Sequence, residues 1–452
     1  MTGQQGQDDP YFGYRGAARD FMEKNSINIW DKVEFTSDNQ SFSGIVLPRY
    51  GFCEDGYLSI KLDGTGYNFG ILITGIVSIK KIGKSKGSYH PPPSNIIPAR
   101  NLPRVPIIGC GGTIASRLDY RTGGVIPALT PDELFAMFPE LANIAMIETT
   151  LLFSRFSEDM NLDYWGQAAE RVVEEINKGA TGVVVAHGTD TLGYGGAALS
   201  FSLQDLPVPV VITGSQRSSD RPSSDAFQNL MDSVRVAAQA DLAGIFVLMH
   251  GGTGDVRSYL HEGTKVRKMH SSRRDAFQSI DQLPVGEVNH LTGEITLQNI
   301  RSRRQKEKDV KLFTSFERKI GLIYTYPGAG GELIDHFVNG SYKGIVIAGT
   351  GLGHTPEGMI PAIQRGIENG IHFVMTTQCL HGFTGMNVYE RGRELLAAGV
   401  IPGGPLLPET AFIKLAYVLG KEKDPEKIRQ MMQSNLVGEM TVRERFDSYT
   451  NV

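Results

Sequence analysis

Four hundred and fifty-two residues is about three times a typical domain of roughly 150, so the chain must hold more than one core. Forty-five basic and 49 acidic side chains leave a formal charge of −4, which excludes a global attraction to nucleic acid or anionic membrane. A hydrophobic fraction of 40% excludes wholesale disorder, and 53 glycines with 22 prolines imply many tight loops.

Residues 1–26, with GQQGQDD and GYRG, have little to bury and are expected to be a flexible arm with a short helix from Arg15 to Lys24. From 27 to 82, short apolar runs separated by SDNQ, CEDG and DGTG predict a small β-barrel. Residues 83–104 form a proline-rich linker whose consecutive prolines, Pro91 to Pro93, favour an extended spacer. The start of the chain has no apolar signal region, and no run approaches the roughly 18 apolar residues of a spanning helix. Cys53, Cys110 and Cys379 are far apart and form no CxxC pair, which fits a reducing compartment and predicts a cytoplasmic protein.

Beyond the linker, apolar strands alternate with amphipathic helices, the pattern of a parallel sheet covered on both faces. The fold class is therefore α/β. In a larger domain, 105–300, the predicted strands are 105–109, 144–153, 182–186, 208–213 and 243–249. Leu162, Trp165, Ala169, Val172, Val173 and Ile176 follow helical spacing, with Asn161 placed to cap the start and Gly179 just past the end. A second helix is predicted from Ser224 to Ala240, and 286–299 reads as a hairpin. The charged stretch at 301–318 predicts a connector. A smaller α/β domain, 319–452, follows, with strands at 320–326, 344–349 and 372–377.

Loops at the carboxyl ends of parallel strands line the ligand crevice. Here they carry Gly111-Gly112-Thr113, Ser157-Glu158-Asp159-Met160-Asn161, His187-Gly188-Thr189-Asp190-Thr191, Gly214-Ser215-Gln216-Arg217 and Thr264-Lys265. Gly109-x-Gly111 follows a strand, but Ile114 occupies the position a dinucleotide fingerprint reserves for glycine or alanine. Gly83-Lys84-Ser85 has the end of a Walker A motif, but Ser78 replaces its first glycine. No HExxH or paired Cys/His set occurs, so metal-free chemistry is expected, with no cofactor in this chain.

A threonine hydroxyl is a weak nucleophile that needs a neighbouring base or polarising group. Thr189-Asp190 and Lys265 are candidates for that assistance to Thr113, since a lysine shielded from water loses its proton more readily. Backbone N–H groups of the glycine loops are candidates for an oxyanion site. Singly, each feature has an ordinary explanation. GGT and GTD tripeptides occur in plain βα turns, Lys265 alone reads as a solvated side chain, and Ser157 to Asn161 reads as a capping box. Their joint occurrence at successive strand ends favours chemistry.

GGTIAS (111–116), SEDMN (157–161), HGTDTL (187–192), TGSQR (213–217), TKV (264–266) and DAF (275–277) together resemble the motif series of the two-domain L-asparaginase/glutaminase family, over nearly all of residues 105–440. The resemblance implies that Thr113 and Thr189 are the active-site threonines and that Asp190 and Lys265 complete a hydroxyl relay. It implies that Ser157, Glu158 and Asp190 hold the substrate's α-carboxylate and α-amino groups, with Gly112 and Gly188 lining the site. Tyr120, with Gly123 and Gly124 as hinge candidates just after it, is the candidate lid tyrosine. Glu158 stands where simple asparaginases usually carry glutamine, and an extra carboxylate favours an ammonium group.

The N-terminal barrel, the proline linker and residues 378–403 resemble a narrower family, the D subunits of archaeal glutamyl-tRNA(Gln) amidotransferases. That resemblance implies ammonia release from glutamine or asparagine, and a partner, the E subunit, that binds Glu-tRNA(Gln), uses ATP with Mg and receives the ammonia. It also implies a homodimer within a heterotetramer. The basic run Arg301, Arg303, Arg304, Lys306, Lys308 and Lys311 is interrupted by acids and is expected to be a solvated connector rather than a tRNA contact. A free-standing asparaginase and a non-catalytic scaffold for partner and RNA remain open as alternatives, and either Thr113 or Thr189 is the first nucleophile.

Overall fold

The computed structural model describes residues 9–37, 40–49, 54–64, 68–85, 101–112, 116–118, 125–127, 139–217, 223–305 and 308–443. At the N-terminal end, strands β1 (Asp31–Ser37), β2 (Gln40–Val46), β3 (Tyr57–Leu62), β4 (Asn68–Leu72) and β5 (Ile76–Lys84) form one antiparallel sheet in the order β4-β3-β2-β1-β5. Alternation along β1 and β3 turns Val33, Phe35, Leu58 and Ile60 to one buried face. A single 3₁₀ turn at Ile73–Gly75 sends the chain to the far edge, where β5 pairs with β1. Where a small β-barrel is expected, the described residues form this one five-stranded sheet, and among them β4 and β5 share no ladder. The segment expected to be a flexible arm helps cover it. Helix α1 (Gly16–Lys24) and the turns around it bury Tyr14, Ala18, Met22, Ile27 and Ile29 against the sheet's apolar face. Tyr14 also donates its hydroxyl to the Leu47 carbonyl at 2.7 Å.

The larger α/β unit is built on β6 (Arg104–Gly111), β7 (Met146–Arg155), β8 (Val183–Ala186), β9 (Pro209–Thr213) and β10 (Gly244–His250). These five are parallel, in the spatial order β7-β6-β8-β9-β10. The runs of β6, β8, β9 and β10 are buried on both faces, as a covered parallel sheet requires, whereas the edge strand β7 is largely half-buried or exposed. Strands β11 (Arg257–Glu262), β12 (Gly286–Asn289) and β13 (Ile295–Leu297) extend the sheet in antiparallel fashion, β12 and β13 forming the expected hairpin. Strand order reverses between β6 and β8, which creates a crevice at their carboxyl ends.

Helix α2 (Leu162–Asn177) begins where Asn161 accepts hydrogen bonds from the N–H groups of Asp163 and Tyr164, and ends before Gly179 at φ +85°. Helix α3 (Leu192–Ser202) is apolar all round and buried from Gly195 to its end. The opposite face of the sheet is covered by α4 (Ala226–Gln239).

The basic connector lies on the surface, exposed or half-buried along its described residues 301–305 and 308–311, and several of its cations bond to the larger unit. Arg304 donates to the carbonyls of Ala237 and Ala240 at 2.8 and 2.6 Å, satisfying the open end of α4, and also to Thr181. Arg303 pairs with Asp241 at 2.5 Å, and Lys308 and Lys311 pair with Asp205 at 3.1 and 2.7 Å. The chain's own acids therefore occupy much of this run.

The C-terminal unit is a parallel sheet of β14 (Ile320–Tyr324), β15 (Gly344–Gly349), β16 (His372–Thr377) and the two-residue β17 (Ile401–Pro402), in chain order. One face packs on α5 (Glu332–Asn339), α6 (Ile360–Glu368) and α7 (Glu390–Ala398). The other packs on α8 (Pro408–Lys421), which also lies against α3 and so joins the two units.

Two buried lysines sit near this junction. Lys414 pairs with Glu439 at 2.6 Å, both fully buried, and Glu439 also accepts the N–H groups of Leu436 and Val437. Burial lowers the Lys414 ammonium pKa and the Glu439 carboxylate opposes that shift. Lys265, 1% exposed, donates to the Pro405 carbonyl at 3.4 Å and the Thr441 hydroxyl at 3.3 Å. Burial brings its pKa down to about 8 from 10.5; Asp281 most strongly opposes the shift, Arg301 reinforces it, and Glu439 and Glu262 oppose it.

Glu439→Gln strands a buried ammonium and is expected to cost about 3–5 kcal/mol of stability, read as a lower urea midpoint with unchanged slope. Between pH 8 and 10.5 the unfolded chain keeps the Lys265 proton that the folded chain releases, so this residue makes stability rise with pH across that window. Melting temperatures of wild type and Lys265→Met should therefore diverge in favour of wild type on going from pH 8 to pH 10.

Candidate active site

The crevice between β6 and β8 is formed by backbones that only glycine lets approach. Gly111 and Gly112 have φ values of +104° and +87°. A Cβ on Gly112 would lie 2.7 Å from the Gly188 nitrogen, and one on Gly188 would lie 2.6 Å from Ser157 Cβ. Three loops predicted to carry site residues therefore meet. Thr113 and Tyr120, expected as first threonine and lid tyrosine, lie outside the described residues.

Ser157 is buried in a one-turn 3₁₀ segment, Ser157–Asp159. Its hydroxyl lies 3.3 Å from Asp190 Oδ2 and 3.4 Å from Glu158 Oε2, and so faces two carboxylates with one proton. Thr191 donates its hydroxyl to the Ser157 carbonyl at 2.7 Å, tying the β7 loop to the β8 loop. Asp190 and Glu158 are exposed, so their carboxylates are available to a ligand.

The β8 loop rests on a buried histidine. Trp165 Nε1 donates to His187 Nε2 at 3.1 Å, which leaves Nδ1 as the protonated nitrogen, donating to the Gly188 carbonyl at 2.7 Å. Burial lowers the His187 pKa, against the Gly188 carbonyl, and keeps the ring neutral. The β9 loop is held from below by α4. The Asp225 carboxylate accepts the N–H groups of Gln216 and Arg217 at 3.0 Å, while Asn229 Nδ2 donates to Asp225 Oδ2 at 2.8 Å and to the Gly214 carbonyl at 2.9 Å. A Cβ on Gly214 would lie 2.9 Å from Thr189 Cγ2, so this loop backs directly onto that threonine.

The lysine that the structure brings to Thr189 and Asp190 is Lys268. Its Nζ donates to Thr189 Oγ1 at 2.9 Å and to Asp190 Oδ1 at 2.7 Å. Lys265, expected in that role, is directed to Pro405 and Thr441 instead. Lys265 is the last residue of the turn that enters a short hairpin, in which Val266–Lys268 pairs with Phe277–Ser279, and that turn directs it to the C-terminal unit while Lys268 ends the strand beside the β8 loop. Val266 packs inward on the core beside Phe277, and Lys268 is carried out to the β8 loop. The tripeptide TKV ends two residues short of it, and the dipeptide Arg267-Lys268 was the available signal. His187, Trp165, Asp225 and Asn229 also escaped the sequence reading, because each acts through a partner that only the fold brings near.

Chemically, a hydroxyl beside an amine that is itself held by a carboxylate is a set for proton transfer at Thr189 Oγ1. The Lys268–Asp190 pair is too solvated to add much stability, with the carboxylate 67% exposed, so its significance is where it holds Nζ. Among the described residues no cluster of three or more His, Cys, Asp or Glu side chains stands ready to hold a metal ion, and no helix is long and apolar enough to cross a membrane.

Comparison with known proteins agrees with this arrangement. The asparaginase N-terminal family matches residues 104–301, the glutaminase/asparaginase C-terminal domain matches 319–432, and the GatD N-terminal domain matches 27–82. The D subunit of the glutamyl-tRNA(Gln) amidotransferase of Thermococcus kodakarensis is 47% identical over 435 residues, covering 95% of this chain and 98% of that protein. That of Methanobrevibacter smithii is 44% identical over 440 residues, covering 97% and 100%. Among solved structures, the thermostable L-asparaginase from Thermococcus kodakarensis aligns with a TM-score of 0.67 at 30% identity, over 75% of this chain and all of that one. L-asparaginase I from Vibrio cholerae gives 0.65 at 28% identity over the same share. The chain belongs to the family of glutamyl-tRNA(Gln) amidotransferase D subunits, in which an asparaginase-type core follows a small N-terminal domain.

Proposed function

We propose that this chain is the amide-hydrolysing component of an amidotransferase that converts Glu-tRNA(Gln) to Gln-tRNA(Gln), releasing ammonia from glutamine or asparagine for a partner, the E subunit. The observation that carries the chemistry is Lys268 Nζ, held 2.9 Å from Thr189 Oγ1 and 2.7 Å from Asp190 Oδ1 at the mouth of the crevice. Likeness to D subunits along 95% of the chain supports the place in a reaction shared between two proteins.

In this reading a threonine hydroxyl, of Thr113 or Thr189, attacks the side-chain amide carbon of the donor. The hydroxyl proton passes through the Lys268–Asp190 pair to the departing nitrogen, and ammonia leaves an acyl-threonine ester. Water then attacks the ester and releases the dicarboxylic amino acid, returning the proton to the threonine. N–H groups of the glycine loops at 112 and 188 stabilise the oxyanion, an interaction worth about 3–4 kcal/mol per donor in a site of this type. Ser157, Glu158 and Asp190 bind the donor's α-amino and α-carboxylate groups, the two carboxylates meeting the ammonium. Tyr120 closes the crevice. The partner supplies ATP, Mg and most of the tRNA surface, and the assembly is a homodimer of this chain within a heterotetramer in the cytoplasm.

Lys268→Met and Thr189→Ala are each expected to reduce ammonia release by about 100-fold or more while leaving the melting temperature near wild type. Full turnover in either removes the relay. Ammonia release by the chain alone is expected to be slow and to rise when the E subunit and Glu-tRNA(Gln) are added together. An enzyme indifferent to both is a free-standing asparaginase, and no ammonia under any condition points to a scaffold.

A further inference from the structure

Lys268 reaches Thr189 and Asp190 from a hairpin only three residue pairs long, Val266 to Ser279, Arg267 to Gln278 and Lys268 to Phe277. So short a ladder does not hold its own register against solvent. Val266, Ala276 and Phe277 pack it on the core of the larger unit, His261 lies 2.8 Å from Ser279 Oγ, and its base is tied in addition to the C-terminal unit. Lys265 donates across the junction to the Pro405 carbonyl and the Thr441 hydroxyl. Asp281, two residues past the other strand and 2% exposed, accepts the Gly382 N–H at 3.2 Å and lies 3.4 Å from His381 Nδ1. Thr410, in the first turn of α8, donates to the Thr264 carbonyl at 2.9 Å, and Arg267 pairs with Glu409 at 3.3 Å. Within the base, the Ile280 N–H donates to the Lys265 carbonyl at 2.8 Å, closing the hairpin between the two buried charges.

We propose that Lys265 and Asp281 are positioning residues, which lock the Val266–Ser279 hairpin to the C-terminal unit and so hold Lys268 within reach of Thr189 and Asp190 at once. The inference rests on the amide-hydrolysis reading of the Thr189–Asp190–Lys268 set. It assigns the junction a task beyond stability. A buried lysine and a buried aspartate stand at the base of the hairpin that carries Lys268 and face a carbonyl, a hydroxyl, an N–H group and an imidazole of the other unit. The loop that Asp281 grips, 378–386, thereby acts on Lys268 through a chain of contacts: Gly382 to Asp281, Asp281 to the end of strand 277–279, and that strand to its partner 266–268.

The test is a double-mutant cycle on ammonia release by the full chain with its partner protein, using Lys265→Met and Asp281→Asn, each alone and combined with Lys268→Met. Thr441→Val, which deletes only an acceptor hydroxyl of Lys265, serves should either buried substitution prevent folding. We expect each positioning variant to lower kcat by about 10- to 100-fold with KM little changed, as small misplacements of a reacting group do. On the Lys268→Met background we expect no further loss, because the group being positioned is gone. Equal losses on both backgrounds, or unchanged kcat in soluble, folded Lys265→Met or Thr441→Val, overturn the proposal. Full turnover in Lys268→Met alone sinks instead the reading of the site on which it rests.

Discussion

Lys268 Nζ lies between a hydroxyl and a carboxylate on adjacent residues of another loop, and the proton transfer proposed for this set requires that geometry to be closely maintained. Neither partner is deeply buried, so the contact itself adds little to stability. The surrounding structure supplies the precision. Glycines at 112, 188 and 214 let three loops close on one another. His187, neutral and held by Trp165, supports the loop carrying Thr189, while Asp225 and Asn229 fix the loop behind it. Thus the same few residues account for the crevice and for its rigidity.

Much of the architecture could be read directly. The runs at 105–109, 182–186 and 208–213 are apolar on both faces, which only a covered parallel strand tolerates, and the cap at Asn161 and stop at Gly179 delimit α2 through local hydrogen bonding. Other features depend on distant partners and leave little local trace. Strand β17 is two residues long and exists because β16 lies beside it. Residues 14–29 interleave apolar with charged groups, and Tyr14, Ala18, Met22, Ile27 and Ile29 among them fill the apolar face of the N-terminal sheet, a partner that no local pattern announces. Arg304 reads as one more cation in a basic run until α4 presents its unfinished carbonyls to it.

Lys265 and Lys268 show how narrow the margin is. A tripeptide match selects a residue type near the right place, whereas the turn before the strand decides which way each lysine faces. A turn followed by a three-residue strand leaves no periodicity to be read from sequence. Lys265 also illustrates that burial and a lowered pKa, taken alone, do not identify a reacting group. Its environment perturbs it as strongly as an active site would, but its hydrogen bonds lead to a carbonyl and a hydroxyl of the neighbouring unit.

The ties at the base of the hairpin have a bearing on how the protein is born. They link residues 101 to 176 positions apart, joining 264, 265 and 281 to 382, 405, 410 and 441. Domains generally fold in order as the chain emerges from the ribosome, and long-range contacts close last. The larger unit can thus acquire its sheet while synthesis continues, but the lysine proposed to react gains its ties across the junction only once the C-terminal unit has been made. On that proposal a nascent chain remains chemically idle until the second unit has docked on the first.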